Sequence, residues 1–341
     1  MPSRSPAIIL EEEIIPYLSF SLQESLRRLP MEVKDKLLEI RLRVERPVML
    51  VLNSTDMWLC KSNILTRSDM DQIIQFLTQS SIYAREEELR QGFITLPGGH
   101  RVGLVGKALL EDGRIRTLKH IGSLNIRLAR QVIGAADEVL PYLLEGNSFI
   151  STLLVSPPGC GKTTLLRDLI RQLSIGLPQK NVKGHKIAIV DERSEIAACY
   201  QGIPQNDVGP RTDVLDGARK AEGIMLVLRS MSPEIIATDE VGSPEDIRAL
   251  EEALVSGVRL MATAHGEGWE DLKQRPILRE LVKRGLFGRI VFLGLAQGPG
   301  TVEGIFSGHS LEPILIKHGS GGGRSRDVKT SWRLNTGFCY R

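Results

Sequence analysis

Apolar residues change their spacing along this chain of 341 residues, and each spacing predicts a different kind of structure. Leu18, Leu22, Leu26 and Leu29 recur at helical spacing ahead of Pro30, which predicts an amphipathic first helix. In "EIRLRVERPVMLVLN", Ile40, Leu42 and Val44 alternate with Arg41, Arg43 and Glu45. That period of two predicts a strand with one charged face. Residues 68–80, "SDMDQIIQFLTQS", return to a helical period with Ser68 as the expected N-cap. From Phe93 to His120 the chain alternates around two turn signals, Pro97-Gly98-Gly99 and Asp112-Gly113, and predicts an antiparallel meander. "SLNIRLAR" adds one more strand, and residues 131–147 read as a connecting helix.

Beyond Phe149 the apolar runs become continuous. "FISTLLVS", "HKIAIVDE", "EIIATDEVG", "VRLMATAHG" and "RIVFLG" are separated by helix-period stretches near 163–174, 217–230, 244–256 and 270–285. Strands apolar on both faces, alternating with helices, predict a mainly parallel sheet covered by helices on each side. The fold class expected is therefore α/β. An N-terminal α+β domain spans 1–145, and the domain with the mainly parallel sheet spans 146–315. A Gly-rich linker, "GSGGGRSRDVK", opens a basic tail over 316–341 that is expected to be disordered.

Composition narrows the picture. The 42% hydrophobic and 25% charged content is that of a globular protein. The net charge of +3 is too small to imply nucleic-acid binding by itself. It is uneven, however: residues 308–341 hold six Lys/Arg and two Asp/Glu, so they carry +4 and the rest of the chain −1. Cys60, Cys160, Cys199 and Cys339 form no C-x-x-C pair, which argues against a zinc site and a disulfide framework. Glu11, Glu12 and Glu13 interrupt what would be the apolar core of a secretory leader, and no apolar run reaches the ~18 residues of a spanning helix. A cytoplasmic protein is expected, with any membrane association peripheral.

The chemistry concentrates in "VSPPGCGKTTLL", residues 155–166. Gly159-Cys160-Gly161-Lys162-Thr163-Thr164 follows a predicted strand and opens a predicted helix. Glycines there let backbone N–H groups turn inward onto phosphate oxygens. Lys162 would reach the β and γ phosphates of ATP, and the Thr163 hydroxyl would bind Mg²⁺. Ser156, Pro157 and Pro158 complete the loop. Ser156 stands where a phosphate loop usually opens with glycine, at the cost of a small backbone penalty that leaves the cradle intact.

"EIIATDEVG" delivers Asp239 and Glu240 together at the end of a strand of the same sheet. Asp239 suits Mg²⁺ binding, and Glu240 suits polarising a water for attack. "IAIVDERSEI" ends another strand with Asp191, Glu192 and Glu195, which either hold a water or metal or form ion pairs with Arg193 and neighbours. "LMATAHGEG" ends a further strand with His265, two residues after Thr263, placed to contact a γ-phosphate. Arg229, just before the acidic pair, and Arg127, in "LNIRLAR", carry no chemical signal of their own, because arginines are mostly surface residues.

The loop together with "VDERSEI", "IIATDEVG" and "ATAHG" resembles the stage III sporulation protein AA family, itself similar to the ATPases of type II and type IV secretion systems. The family's loop reads Gly-Pro-Pro-Gly-Cys-Gly-Lys-Thr-Thr, and this chain departs from it at Ser156. Glu192 with Glu195, Glu240, and His265 match the ordered acidic, second acidic and histidine motifs of the secretion ATPases. Arg229 matches the Leu-Arg element before the second acidic motif. Those ATPases carry Gly-Glu where this chain has Asp239-Glu240. The resemblance covers about residues 25–306 and excludes the tail. It implies a RecA-like P-loop domain that hydrolyses ATP with Mg²⁺, acting in the mother cell of an endospore former. It also implies docking on integral membrane partners encoded in the same sporulation operon, which form a mother cell–forespore channel. A homo-oligomeric ring, a hexamer, is implied by the same likeness. Arg127, with Arg116 and Arg229 as weaker candidates, would complete the site from another domain or subunit. Two other readings compete: a nucleic-acid motor that uses the basic tail, and a nucleotide-dependent scaffold without turnover.

Overall fold

The structure is a computed structural model that describes residues 5–53, 55–59, 64–78 and 86–316. The tail expectation over 316–341 falls, from residue 317 onward, outside the described residues. The chain divides into two compact units: Met1–Gln131 with Ala198–Asn206, and Val132–Ala197 with Asp207–Arg341.

The first unit opens with α1 (Pro6–Ile9), which continues through a wide turn at Leu10–Ile14 and a tight one at Ile15–Tyr17. The helices α2 (Phe20–Arg27) and α3 (Met31–Lys36) come next. The expected first helix is thus α2, and Leu18 precedes it. The elements before it were not foreseen, although Leu10, Ile14 and Ile15 are fully buried. Then come β1 (Leu37–Arg43), β2 (Met49–Leu52), β3 (Asp56–Trp58), α4 (Arg67–Leu77), α5 (Glu86–Gln91), β4 (Phe93–Thr95), β5 (Arg101–Glu111) and β6 (Arg114–Arg127). The six strands form one antiparallel sheet in the order β3-β2-β1-β6-β5-β4. The meander is present as expected. "SLNIRLAR" is not a separate strand but mostly the end of β6.

Two local expectations change for identifiable reasons. Helix α4 is capped by Thr66, not Ser68: the Asp69 N–H donates to Thr66 Oγ1 (3.1 Å), and the Thr66 N–H donates back to Asp69 Oδ2 (3.1 Å). This reciprocal box lies just ahead of the serine. Residues 131–147 form turns, a single 3-10 turn at Leu140–Leu143 and the first strand of a short hairpin, β7 (Leu144–Glu145) with β8 (Ser148–Phe149), instead of one continuous α-helix. Gly134 takes φ +85° and Pro141 removes a donor, so the helical spacing there has no helix to serve.

The same segment moves the division between the units from the expected 145 to 131/132. Asp168, buried in the following helix, accepts from the Ala136 N–H (2.9 Å), and Gln172 Nε2 donates to Asp137 Oδ1 (2.7 Å). Residues 132–145 are therefore stitched to the second unit.

That unit continues with β9 (Thr152–Ser156), α6 (Lys162–Ile175), β10 (Ile187–Asp191), β11 (Thr212–Asp216), α7 (Lys220–Ser230), β12 (Ile235–Thr238), α8 (Pro244–Val255) and β13 (Arg259–His265). It ends with α9 (Trp269–Gln274), α10 (Pro276–Lys283), β14 (Arg289–Gly294), β15 (Thr301–Ser307) and β16 (Pro313–Ile316). The eight-stranded sheet runs β11-β10-β12-β13-β9-β14-β15-β16. The first six are mutually parallel, and β15 and β16 return antiparallel. Strands β9, β10 and β12 are buried at every position, as continuous apolar runs predict. Trp269, Phe292 and Phe306 meet edge-on, with centroids 5.2–5.6 Å apart, in the core of this unit. Parallel pairing brings the C-terminal ends of β9, β10, β12 and β13 to one edge. Register completes the alignment: Ser156 sits opposite His265, and Thr238 is flanked by Val190 and Ala262.

Candidate nucleotide site

The loop from Ser156 to Lys162 leaves that edge and enters α6. Gly159 (φ +76°) and Gly161 (φ +84°) occupy the left-handed region that L side chains rarely adopt. A Cβ on Gly159 would meet open space, whereas one on Gly161 would lie 3.0 Å from the Gly300 nitrogen. Gly300 belongs to the turn between β14 and β15, and its N–H donates to Cys160 O (2.8 Å). That turn props the loop from behind. Gly161 caps α6 without a side chain, so the first-turn N–H groups are available to an anion.

Ser156 is buried and keeps a negative φ, so the expected backbone penalty is absent. Its hydroxyl donates to Pro157 O (2.8 Å) and lies 3.2 Å from Lys162 Nζ. The lysine, itself buried, also donates to Ser156 O (2.8 Å) and Pro157 O (3.1 Å). Burial holds its pKa below the ordinary lysine value, and the Glu240 charge opposes that shift.

Lys162 begins a chain of contacts across three adjacent strands. Its ammonium has only donors, so His265 Nδ1, at 3.2 Å, accepts. His265 Nε2 therefore carries the proton and donates to Glu240 Oε1 (2.7 Å). Glu240 Oε2 accepts from Arg193 (2.6 Å). The Glu240 backbone is in the left-handed region (φ +42°), and its N–H donates to the buried Thr263 hydroxyl (2.8 Å). Thr263 thus holds the acidic turn against β13.

The second acidic group is quite different. Asp239 is buried, and neither carboxylate oxygen has a hydrogen-bond partner. Burial raises its pKa, Lys220 opposes, and the charges of Glu195 and Glu240 raise it further. Lys220 Nζ lies 3.8 Å from Asp239 and 2.5 Å from Glu192 Oε2, so it bridges the two acids. Orphaned buried oxygens invite a cation, and with the Thr163 hydroxyl at the start of α6 the donor set suits Mg²⁺. Among the described residues no group of three or more His, Cys, Asp or Glu side chains is placed to hold a metal. A Mg²⁺ here would therefore take its other ligands from phosphate and water.

Asp191 organises instead of reacting. It is fully buried and accepts from the N–H groups of Glu195 (2.9 Å), Ile196 (3.0 Å) and Ala197 (2.8 Å). Burial pushes it up to about 6, against those N–H groups and with the Asp239 charge adding to the rise. Arg167 clamps the same turn by donating to Glu195 O (2.6 Å) and Ile196 O (2.5 Å).

The structure brings Ser156, Lys162, Asp239, Glu240 and His265 together, and Glu192 joins them through Lys220. Arg229 does not join. It lies in the last turn of α7, which runs from the C-terminal end of β11 back to the start of β12. That is the sheet edge opposite the phosphate loop. Arg127 ends β6 in the first unit and pairs with Glu39 (3.5 Å), and Arg116 pairs with Glu111 (3.2 Å) on the β5–β6 hairpin. Sequence reasoning missed Lys220 and the part played by Arg193. Lys220 carries no local signal, whereas Arg193 stood inside an acidic motif. Beside Glu240 and His265 opens a groove of about 350 Å³, lined also by Arg275 and Ile277.

A parallel sheet with a phosphate loop after one strand and acid and histidine after its neighbours defines a RecA-like P-loop domain. Solved structures of that fold agree: the ATPase DotB from Legionella pneumophila has a TM-score of 0.52 at 15% identity, over 80% of this chain and 75% of that one. The pilus retraction motor PilT with bound ADP gives 0.53 at 15%, over 82% and 77%. Within that class the chain belongs to the family described as Sporulation stage III, protein AA, whose sequence profile matches residues 10–311. It is 46% identical over 294 residues to stage III sporulation protein AA of Bacillus subtilis (strain 168), covering 86% of this chain and 94% of that relative. Among the described residues no helix is long and apolar enough to cross a membrane.

Proposed function

We propose that the chain binds Mg-ATP on the loop from Ser156 to Thr164 and hydrolyses it, as an ATPase of endospore formation. The observation that carries this reading is the continuous contact from Lys162 through His265 to Glu240, at the phosphate-loop edge of the sheet. Bound phosphate would compete with the carbonyls of Ser156 and Pro157 for the Lys162 ammonium, since charged acceptors make the stronger bonds. Thr163 and Asp239 would hold Mg²⁺, which neutralises charge on the phosphates. Glu240, oriented by His265, would accept the proton of an attacking water. Glu192 acts at a distance here, by setting the charge of Lys220 against Asp239.

In the same reading the active form is a homo-oligomeric ring, a hexamer, in which Arg127 meets the charge that develops on the γ-phosphate. The ring docks peripherally on integral membrane proteins of the same operon at the mother-cell membrane. It energises a mother cell–forespore channel.

Titration calorimetry with ATP and ADP, followed by steady-state turnover alone, with partner cytoplasmic segments and with DNA, tests the proposal. Binding should be lost on the order of 100-fold in Lys162→Ala, which removes charged hydrogen bonds of ~1.5–3 kcal/mol. Unmutated protein that binds neither nucleotide would refute the reading, and stimulation by DNA alone would favour a nucleic-acid motor. Mixing Arg127→Ala with Lys162→Ala protein tests the shared site: mixed rings should regain activity that each variant lacks alone.

A further inference from the structure

Both oxygens of the Glu240 carboxylate are occupied. His265 Nε2 holds Oε1 at 2.7 Å and Arg193 holds Oε2 at 2.6 Å. The two partners differ in kind. His265 ends a buried strand, with its backbone fixed opposite Ser156. Arg193 sits on the exposed first part of the β10–β11 connection, two residues before the turn that Asp191 anchors, and more than half of its side chain is open to solvent. A guanidinium has five N–H donors in a fork that fits phosphate, and only one of them is spent on Glu240.

Charge determines how this arrangement responds to nucleotide. Before nucleotide arrives, Arg193 pairs its charge with that of Glu240 and takes one of the Oε2 acceptor positions, so the carboxylate has less charge free to draw a proton from water. A γ-phosphate on the loop brings new negative charge beside Lys162, and Lys162 is already linked to Glu240 through His265. The same charge attracts the guanidinium and repels the carboxylate. Resting on the ATPase reading above, we infer that Arg193 is a positioning residue that latches Glu240 shut until a γ-phosphate draws it away, freeing Oε2 to accept from water. ADP lacks that phosphate and leaves the latch closed, so the device separates the two nucleotides and confines the activated carboxylate to the ATP-bound state.

The latch predicts a coupling that a merely structural contact would not produce. In the unmutated protein, ATP must break the Arg193–Glu240 pair to recruit the arginine. Glu240→Gln removes the competing charge, so the slowly hydrolysed analogue ATPγS should bind about five- to tenfold tighter, roughly the weight of one partly exposed charged hydrogen bond. ADP affinity should shift by less than about twofold. In an Arg193→Ala background the same Glu240→Gln change should leave ATPγS affinity nearly unaltered, because no arginine remains to be released. Arg193→Lys, which keeps the charge without the fork, should restore part of the gain.

Calorimetry of the four full-length proteins with both nucleotides closes the cycle, with melting temperatures measured alongside to detect misfolding. Equal tightening of ATPγS by Glu240→Gln with and without Arg193 would overturn the latch, because the gain would then be a general charge effect. Equal shifts for ADP and ATPγS would overturn it as well. Absence of nucleotide binding by the unmutated protein is a separate failure, and it removes the ATPase reading beneath.

Discussion

Among the described residues, two of the histidine–glutamate pairs share the same 2.7 Å contact, one in each unit, and they have opposite characters. In the first unit, His100 Nε2 faces Glu13, and the Ala129 N–H donates to His100 Nδ1 (2.9 Å). In the second, His265 Nε2 faces Glu240, and Lys162 donates to Nδ1 (3.2 Å). Both rings therefore carry the proton on Nε2. The His100 side chain is 0% exposed, while that of His265 is 36% exposed. A peptide N–H cannot leave without moving the chain, but a lysine side chain can transfer to a phosphate. The first pair pins the residues around Glu13 to the start of β5. The second stands ready for chemistry. Pair geometry alone assigns no role; the mobility of the third partner does.

The sharpest way to separate the pairs is to neutralise each glutamate. Glu240→Gln should lower turnover at saturating ATP by ~10²–10⁴-fold, the usual worth of a general base, while nucleotide stays bound. Glu13→Gln should leave turnover unchanged, since an amide still accepts from His100. A comparable loss of turnover in both variants would erase the distinction.

Removing the rings should divide stability from activity. His100→Ala leaves Glu13 without its buried partner and should cost about 3 kcal/mol in denaturant unfolding, with nucleotide affinity intact in the folded protein. His265→Ala should cost under ~1 kcal/mol of stability and instead depress turnover. Reversed outcomes would exchange the roles assigned here.

Acid should act on the buried pair. Burial lowers the pKa of His100, with Glu13 opposing. As pH falls below ~6.5, the unfolded chain takes up a proton that the folded chain resists. The stability contributed by neutral His100 is therefore present above that pH and lost through the acid range, by at most ~1.4 kcal/mol per pH unit. Melting measured from pH 7.5 to 5.5 should show this slope, and His100→Ala should flatten it.

The smallest effect concerns the third partner of His265. Ser156→Gly removes one polar neighbour of Lys162, 3.2 Å away, and eases the transfer of the lysine to phosphate. ATP affinity should rise by no more than ~threefold, consistent with ~0.6 kcal/mol for a weak hydrogen bond. A large loss of binding in calorimetry would show that the serine does more than park the lysine.

Much of this was legible in the chain. Continuous apolar runs marked β9, β10, β12, β13 and β14, because a strand buried on both faces has no polar side to interrupt it. Strand β11 escaped, since an edge strand with Asp213 and Asp216 has exposed positions and a weak pattern. The turns over 131–147 escaped because apolar spacing outweighed Gly134 and Pro141. Within the site, Lys162, Glu240 and His265 could be picked out because each ends or follows a readable strand. Lys220 could not, because nothing near it in the chain distinguishes it from a surface lysine opening a helix.

What the sequence by itself determined was local: which segments are strands, where the glycines turn the loop, and which acids and histidine stand at strand ends. These properties arise from periodicity and from interactions within a few residues. The tertiary structure alone decided which of those groups meet. Arg193 and Glu240 lie 47 positions apart, and Lys162 and His265 lie 103 apart. Their contacts depend on the strand order β10-β12-β13-β9 and on the register that sets Ser156 opposite His265. Apolar periodicity buries each strand equally well beside any neighbour, so strand order is settled only when the whole sheet packs.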